Sequence, residues 1–235
     1  MWSTPVAYDP NVTFDGFPAE TFPLLTRIGD GDRDAFQAIK KDYDRDVAAP
    51  AKAFVDAMTT ALQQTVSPLI VGVARTNGSI APINNDLRFN PDAQPYKDHL
   101  FVKWWEGDDK KTAPTLYIRI READIGFASG MPAFDVGRWR EAVAGPNGAA
   151  LTDALAGLEV DGRELHVAGE ALKRTPKPWD DEHPRSALLR HKGFQVRWME
   201  STPLDVVTTP AIIDHCLDRL VEFTDVHRWL VDHLG

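Results

Sequence analysis

The sequence predicts an α+β fold, in which a largely antiparallel twisted sheet has N- and C-terminal helices packed on it. Two observations predict this class. Apolar residues recur at helical spacing towards both ends of the chain, and short runs rich in β-branched and aromatic residues fill the middle. The polar connections between these runs are short, which favours antiparallel pairing. We expect a single domain over residues 14–235, preceded by a loose N-terminal segment at residues 1–13.

Helices are predicted in the N-terminal part of the chain. Pro18 suits the first turn of a helix that ends at residues 29–31, where two glycines stand. Asp32 or Asp34 then suits the cap of a second helix, because a short acidic side chain accepts hydrogen bonds from the N–H groups at a helix start. Apolar residues at helical spacing over residues 47–66 predict a third helix. These elements are expected to form a helical layer over the sheet.

Strands are predicted at residues 69–75, 99–106, 115–121, 125–128 and 193–199. Alternation within residues 115–121 places three aliphatic side chains on one face of the sheet and Tyr117, Arg119 and Arg121 on the other. The first face is expected to be core, and the second is expected to be solvated or part of a site. The two glycines of residues 126–130 predict a tight turn, because glycine adopts positive φ without strain.

The C-terminal part of the chain is again predicted to be helical. Asp135 suits the cap of a helix that ends at Gly145, and a short helix follows at residues 149–158. A continuous final helix is predicted over residues 209–234, with its apolar side chains on one face. Cys216 lies on that face, so we expect it to be a buried apolar filler and not a nucleophile.

Charge and hydropathy exclude several classes of protein. The formal charge is -9, from 35 acidic and 26 basic side chains, which disfavours duplex nucleic acid as a partner. Residues 163–197 are nevertheless locally basic. No apolar run approaches the length of about 18 residues that suggests a membrane span, and the first residues lack a signal pattern. A lone cysteine fits a reducing compartment, so we expect a cytoplasmic protein without membrane contact.

Residues 80–99 concentrate polar and aromatic groups without helical or strand periodicity. In this stretch Arg88 suits a bidentate contact with a carboxylate or phosphate, and Lys97 adds a second positive charge. Asp86 stands beside them, Tyr96 offers a hydroxyl donor at the rim, and prolines stiffen the chain. The alternative is a self-satisfied network, in which a neighbouring aspartate already pairs with Arg88 and the loop closes one end of the sheet.

A second polar concentration lies at residues 169–192, where three prolines exclude a continuous helix. Its cations can join those of the first stretch around one pocket, with tyrosine and tryptophan side chains as an aromatic wall. The alternative is that the acidic residues 180–182 neutralise these cations in a solvated loop. The candidate ligand-binding residues are Asp86, Arg88, Tyr96, Lys97, Lys173, Arg174 and Lys192.

Three pieces of the chain resemble one protein family. Asp86-Leu-Arg-Phe89 followed by Pro95-Tyr-Lys97 resembles the signature of domain-of-unknown-function family 2461, whose members read roughly Arg-Asp-x-Arg-Phe-x-x-Asp-Lys-x-Pro-Tyr-Lys. Phe14-Asp-Gly-Phe17 resembles the opening of the family. Leu172-Lys-Arg, with Lys192-Gly-Phe194, resembles its closing segment. The resemblance spans nearly the whole chain and supports the domain boundary and the choice of site, and it implies no particular reaction.

The sequence departs from this family pattern at two positions of the first stretch. Asn85 stands where the family usually has Arg, and Ala93 stands where it usually has Lys. Losing two cations weakens the hypothesis of a strongly anionic ligand for this chain.

Motifs of established chemistry are absent from the sequence, which has no His-Glu-x-x-His, no cysteine pair, no Walker loop and no dinucleotide fingerprint. We therefore expect no cofactor and no metal. The leading hypothesis is a soluble protein that binds or acts on a small anionic ligand, a phosphate or carboxylate, through a loop-built basic and aromatic pocket. The alternative is a non-catalytic protein-protein interaction module whose signature loops are structural. A third hypothesis is an enzyme that acts on single-stranded nucleic acid through the basic patch.

Overall fold

The protein is a six-stranded sheet with helices packed on one of its faces. The computed structural model describes residues 13–88, 90, 92–159 and 163–235, so the expected loose segment lies, apart from Thr13, outside the described residues. The sheet order is β1-β2-β3-β4-β6-β5, and every neighbouring pair is antiparallel. The strands are β1 (Ile70–Val71), β2 (Leu100–Glu106), β3 (Thr115–Ile120), β4 (Asp124–Met131), β5 (His166–Ala168) and β6 (Phe194–Ser201). The predicted fold class is confirmed.

Helices lie before, between and after the strands. They are α1 (Thr21–Asp30), α2 (Arg33–Tyr43), a π-helical turn (Asp44–Ala48), α3 (Ala49–Thr65), α4 (Val136–Ala144), α5 (Gly148–Gly157), α6 (Ser186–Leu189), α7 (Leu204–Val207), α8 (Ile212–Val221) and α9 (Thr224–Leu234). Two predicted caps are confirmed: the Asp32 carboxylate accepts from Ala35 N at 2.8 Å, and the Asp135 carboxylate accepts from Arg138 N at 2.9 Å. Each satisfies an N–H group that the helix itself leaves without a partner.

One face of the sheet forms the core with the helices. Leu116, Ile118 and Ile120 are fully buried on it, as their alternation predicted. Trp104 lies opposite Leu116 on the neighbouring strand, and its indole N–H donates to the Thr59 hydroxyl of α3 at 2.9 Å. Helices α8 and α9 pack over β4 on the same face. Burial of this apolar layer is the main contribution to the stability of the fold.

The opposite face, which we call the open face, carries a different set of side chains. Lys103 and Tyr117 are register partners on β2 and β3, and both lie on this face together with Phe101. After Asp124 at its start, the central strand β4 contributes only small residues to it, at positions 126, 128 and 130. The open face therefore has a shallow floor along its central strand, flanked by longer side chains.

Three sequence predictions are corrected by the structure. The glycines of residues 126–130 do not form a tight turn, because they lie inside β4; a Cβ atom on Gly130 would lie 2.3 Å from Phe194 O, so glycine is needed there for close strand approach. The strand predicted at residues 69–75 is confined to its second and third residues. The continuous final helix is broken between α8 and α9, where the chain turns and Phe223 is buried against Trp198.

A buried ionisable pair joins the last helix to the end of β2. Nε2 of His227 lies 3.3 Å from Oε2 of Glu106, and the two residues are 0% and 4% exposed. A guanidinium nitrogen of Arg228 lies 3.8 Å from Oε1 of the same carboxylate. Burying a carboxylate is costly unless it is paired, so these contacts fix α9 against the strand at a defined position.

Replacing His227 with alanine is expected to lower the free energy of unfolding by about 3 kcal/mol or more, because it leaves the Glu106 carboxylate buried with one partner fewer. Urea unfolding at neutral pH, followed by circular dichroism, measures this loss. Lys40→Ala is the control, since it removes an exposed pair with Asp44 that contributes less than about 1 kcal/mol. Equal losses in the two variants would contradict a stabilising role for the buried pair.

The same pair gives the stability of the protein a pH dependence. The His227 hydrogen bond is the main cause that holds the pKa of Glu106 below its ordinary value of 4.5. A carboxyl group with a lowered pKa in the folded state contributes stability above its unfolded pKa and loses that contribution as the pH falls. Wild-type stability should therefore fall more steeply than that of Glu106→Gln below about pH 4.5, and parallel curves in acid unfolding would contradict this.

Candidate functional site

The first predicted polar stretch forms a loop over residues 80–99, which we call the signature loop. Its neck is closed by a bridge between Asn84 and Tyr96. The Asn85 amide donates to the backbone oxygens of Gln94 and Tyr96, both at 2.9 Å. Tyr96 is 5% exposed and its ring lies 4.5 Å from that of Phe36, so it is a core residue and not a donor at a rim.

Asp86, Arg88 and Lys97 have partners within the signature loop. Lys97 Nζ donates to the carbonyl oxygens of Pro82, at 2.6 Å, and Asn84, and burial lowers its pKa. Arg88 and Asp86 form a 2.6 Å ion pair at the exposed tip, and the Arg88 hydrogen bonds lower the pKa of Asp86 to about 2. Phe89 and Pro91, which belong to the same predicted signature, lie outside the described residues. These contacts match the self-satisfied alternative more closely than an open anion cradle.

The second predicted stretch also closes at its neck. Leu172 N donates to Arg190 O at 2.8 Å, and Lys192 Nζ pairs with Glu170 at 2.7 Å. Lys173 and Arg174 are exposed. The acidic residues 180–182 do not neutralise Lys192, as the solvated alternative assumed, because its partner is Glu170. Asp181 instead accepts from Thr175 and Arg190.

A cavity of about 580 Å³ lies over the open face, between the necks of the two loops. None of the seven predicted residues is among the described residues that line it, so the structure does not gather them around this cavity, and their role in ligand binding stays a prediction. The cavity is lined by Asn77, Gly78, Ser79, Ile80, Ala81, Pro82, Phe101, Lys103, Lys110, Tyr117, Pro132, Gly169, Phe194 and Gln195. The cavity opens to solvent, and its lining combines apolar and aromatic side chains with a few polar ones, as is typical of a ligand site.

Two aromatic rings and two lysines dominate one side of this open-face cavity. The rings of Phe101 and Tyr117 are 5.6 Å apart, and burial raises the pKa of Tyr117 to about 12, so its hydroxyl stays protonated at neutral pH. Lys103 Nζ donates to Lys110 O at 3.0 Å, and Lys110 Nζ donates to Asn77 O. Within the described part of the chain neither ammonium has a carboxylate partner in salt-bridge contact.

The charge of Lys103 is disfavoured in its surroundings. Burial and the nearby charge of Lys110 lower its pKa, while the charge of Asp109 opposes them. Two ammonium groups that repel each other beside a cavity are an unfavourable arrangement unless an anion is bound between them.

The backbone fixes the side of the cavity beyond β2. Ala81 N donates to Phe101 O, and Lys103 N donates to Ser79 O, both at 3.0 Å, so residues 79–81 continue the sheet next to β2. Lys97 supports the same wall from behind, since its ammonium holds the carbonyl oxygen of Pro82. The neck of the signature loop thus borders the cavity, whereas Asp86 and Arg88 at its charged tip are not among the described lining residues.

The sequence pointed to only part of this cavity. Tyr117, which was placed on a face expected to be solvated or part of a site, lines the cavity. Phe101, Lys103, Lys110 and Gln195 were not predicted as site residues. The alternation of β2 already placed Phe101 and Lys103 on the same face as each other, and this was the available signal.

Other chemistry is scarce in the described ranges. They contain no group of three or more potential metal-ligating side chains, and none of their helices is long and apolar enough to cross a membrane. Cys216 is fully buried, which raises the pKa of its thiol far above the range of a reactive cysteine. A second cavity, of about 10 Å³, has room for no more than a water molecule.

Comparison with known proteins identifies the family. Residues 25–229 match the family model described as "Conserved hypothetical protein (DUF2461)", so the chain belongs to this family and the resemblance inferred from the sequence is confirmed at the family level. A search of curated proteins found no match.

Replacing Lys97 with methionine is expected to lower the free energy of unfolding by about 2 kcal/mol, because hydrogen bonds from a charged donor to two carbonyls are lost at a partly buried neck. Lys173→Met is the control with the same change of charge at an exposed position, and it should stay within about 0.5 kcal/mol. Chemical denaturation of both variants checks this. A stable Lys97→Met would show that the ammonium is not needed for the loop.

Proposed function

We propose that this member of the DUF2461 family binds a small anionic ligand in the open-face cavity, with Lys103 and Lys110 as its counter-charges. One observation supports the proposal above the others: two lysines without described carboxylate partners border a cavity of about 580 Å³ beside a Phe–Tyr wall. The anionic class is the one that the sequence suggested, while the residues that hold the ligand are different.

The donor count of the two lysines supports this proposal. Each ammonium group has three N–H donors, and each is seen to donate to one backbone carbonyl. The remaining donors suit an anion at the cavity wall. Hydrogen bonds to charged groups contribute about 1.5–3 kcal/mol each, which is enough for two lysines to decide between an anion and its neutral analogue.

The contacts of the signature loop favour a structural role for most of its polar residues. Its Asn85 and Lys97 side chains hold the neck that forms one wall of the cavity. The exposed Asp86–Arg88 pair is a second candidate site for an anion. An Arg88 variant distinguishes binding at this pair from binding in the cavity. The interaction-module hypothesis predicts that small molecules do not bind, so substitution of Lys103 or of Arg88 would not change the response to them.

We expect anions from a panel of carboxylates, phosphate esters and nucleotides to raise the melting temperature of the wild type and not that of Lys103→Met. A ligand at a hundredfold excess over its Kd stabilises the native state by about 2.7 kcal/mol. For a chain of this size, that corresponds to roughly 5–10 °C. Differential scanning fluorimetry of the two proteins measures the shift.

Two further variants make this result specific. Lys41→Met removes the same charge from an exposed position on α2, so it should keep the full shift. Arg88→Ala should also keep it. A shift lost in Arg88→Ala and kept in Lys103→Met would move the site to the tip of the signature loop. The absence of any shift across the panel would instead favour the interaction-module hypothesis.

A further inference from the structure

We infer that the ligand of the open-face cavity is an elongated amphipathic monocarboxylate, whose carboxylate meets Lys103 and Lys110 and whose apolar body crosses the sheet towards Gln195. This inference rests on the proposed function and adds to it the chemical class and orientation of the ligand. Three features of the cavity carry it: where its charges lie, what covers the rest of its wall, and which donors are already used.

The charges of the cavity lie at one side only. Among the described lining residues only Lys103 and Lys110 are charged, and Lys103 is on β2. Gln195 lines the cavity from β6, three strands away in the order β2-β3-β4-β6. Neighbouring strands are about 4.8 Å apart, so the two sides are separated by about 14 Å. A ligand that uses both sides is therefore elongated and carries its negative charge at one end.

The surface between these sides is mostly apolar. Its apolar contributors are the rings of Phe101 and Tyr117, together with Pro132. Between Tyr117 and Gln195 the strand β4 carries only Ala128 and Gly130, so a chain or a flat ring can lie close to the backbone of the sheet there. The Tyr117 hydroxyl is the one side-chain hydroxyl that the described residues offer along this path, so most hydroxyl groups of a sugar or polyol there would lose water without gaining a partner. The body of the ligand is therefore apolar.

The backbone N–H groups beside Lys110 are already used, which favours a carboxylate, with its two oxygens, over a phosphate. The loop beside Lys110 is not an anion-binding nest, because its N–H groups are already used: Gly78 N donates to Arg75 O at 2.9 Å, and Ser79 N donates to Val73 O at 2.8 Å. Two ammonium groups match the two oxygens of one carboxylate.

Isothermal titration calorimetry of the full chain tests the class directly, with decanoate, hexanoate, decyl phosphate and decanol as probes. Decanoate should bind more tightly than decyl phosphate, and decanol should bind roughly 10- to 100-fold more weakly than decanoate, because it lacks the charge. Decanoate should also exceed hexanoate by at least about tenfold, since each buried methylene contributes roughly fourfold in affinity.

Variants at the two sides test the orientation. Lys103→Met should weaken decanoate by about tenfold or more, while Lys41→Met leaves it unchanged. Gln195→Trp fills the far side of the cavity, so it should weaken decanoate and leave hexanoate within about twofold, given about 1.3 Å of length for each methylene, well short of the far wall. Circular dichroism and the melting temperature of each variant establish that it is folded.

The outcomes separate this inference from the proposed function. Binding of decyl phosphate that equals or exceeds that of decanoate, and that Lys103→Met abolishes, overturns the carboxylate class and leaves the anion site in place. Decanoate binding that Gln195→Trp does not change overturns the orientation across the sheet. If none of the anions binds, or if Lys103→Met binds them as the wild type does, both the inference and the proposed function fail.

Discussion

The register of β4 is the constraint on which both the core and the cavity depend. Ile125 and Phe127 of this central strand are buried towards the helices, while Gly126 and Ala128 lie on the open face. Side chains alternate along a strand, so a slip of one residue would place the small residues against the helices and Phe127 on the open face. The core would then lose a ring that packs 5.0 Å from Trp198, and the open face between Tyr117 and Gln195 would be filled.

The two polar loops border this cavity through their necks. In the signature loop, the Asn85 amide and the Lys97 ammonium bind backbone carbonyls across the neck. In the second loop, backbone hydrogen bonds such as that from Leu172 N to Arg190 O close the neck next to Gly169, which lines the cavity. The entropic cost of closing a loop grows slowly with its length, so a few hydrogen bonds at the neck can hold a long excursion. Side chains used in this way are less available to a ligand.

The limits of the sequence prediction follow from the range over which each contact acts. The helix caps at Asp32 and Asp135 and the alternation in β3 depend on residues close in the chain, and the structure confirms them. The candidate site was instead chosen by polar density, which cannot distinguish a neck contact such as that of Lys97 from a ligand contact. The cavity residues come from β2, β3 and β6, and their meeting depends on a strand order that no local pattern states.

Lys103 and Lys110 hold the backbone through hydrogen bonds and also place positive charge beside the cavity. Lys103 and Lys110 each donate to a backbone carbonyl, which joins the loop after β2 to the wall formed by residues 77–82. A carbonyl oxygen carries only a partial charge, so these bonds fix the positions of the ammonium groups and leave their positive charge uncompensated. Burial and the charge of Lys110 lower the pKa of Lys103, so its charged form is disfavoured where it stands. In the proposed function the ammonium groups are already in place, so an anion does not have to order them first and less of its binding free energy is lost to that cost.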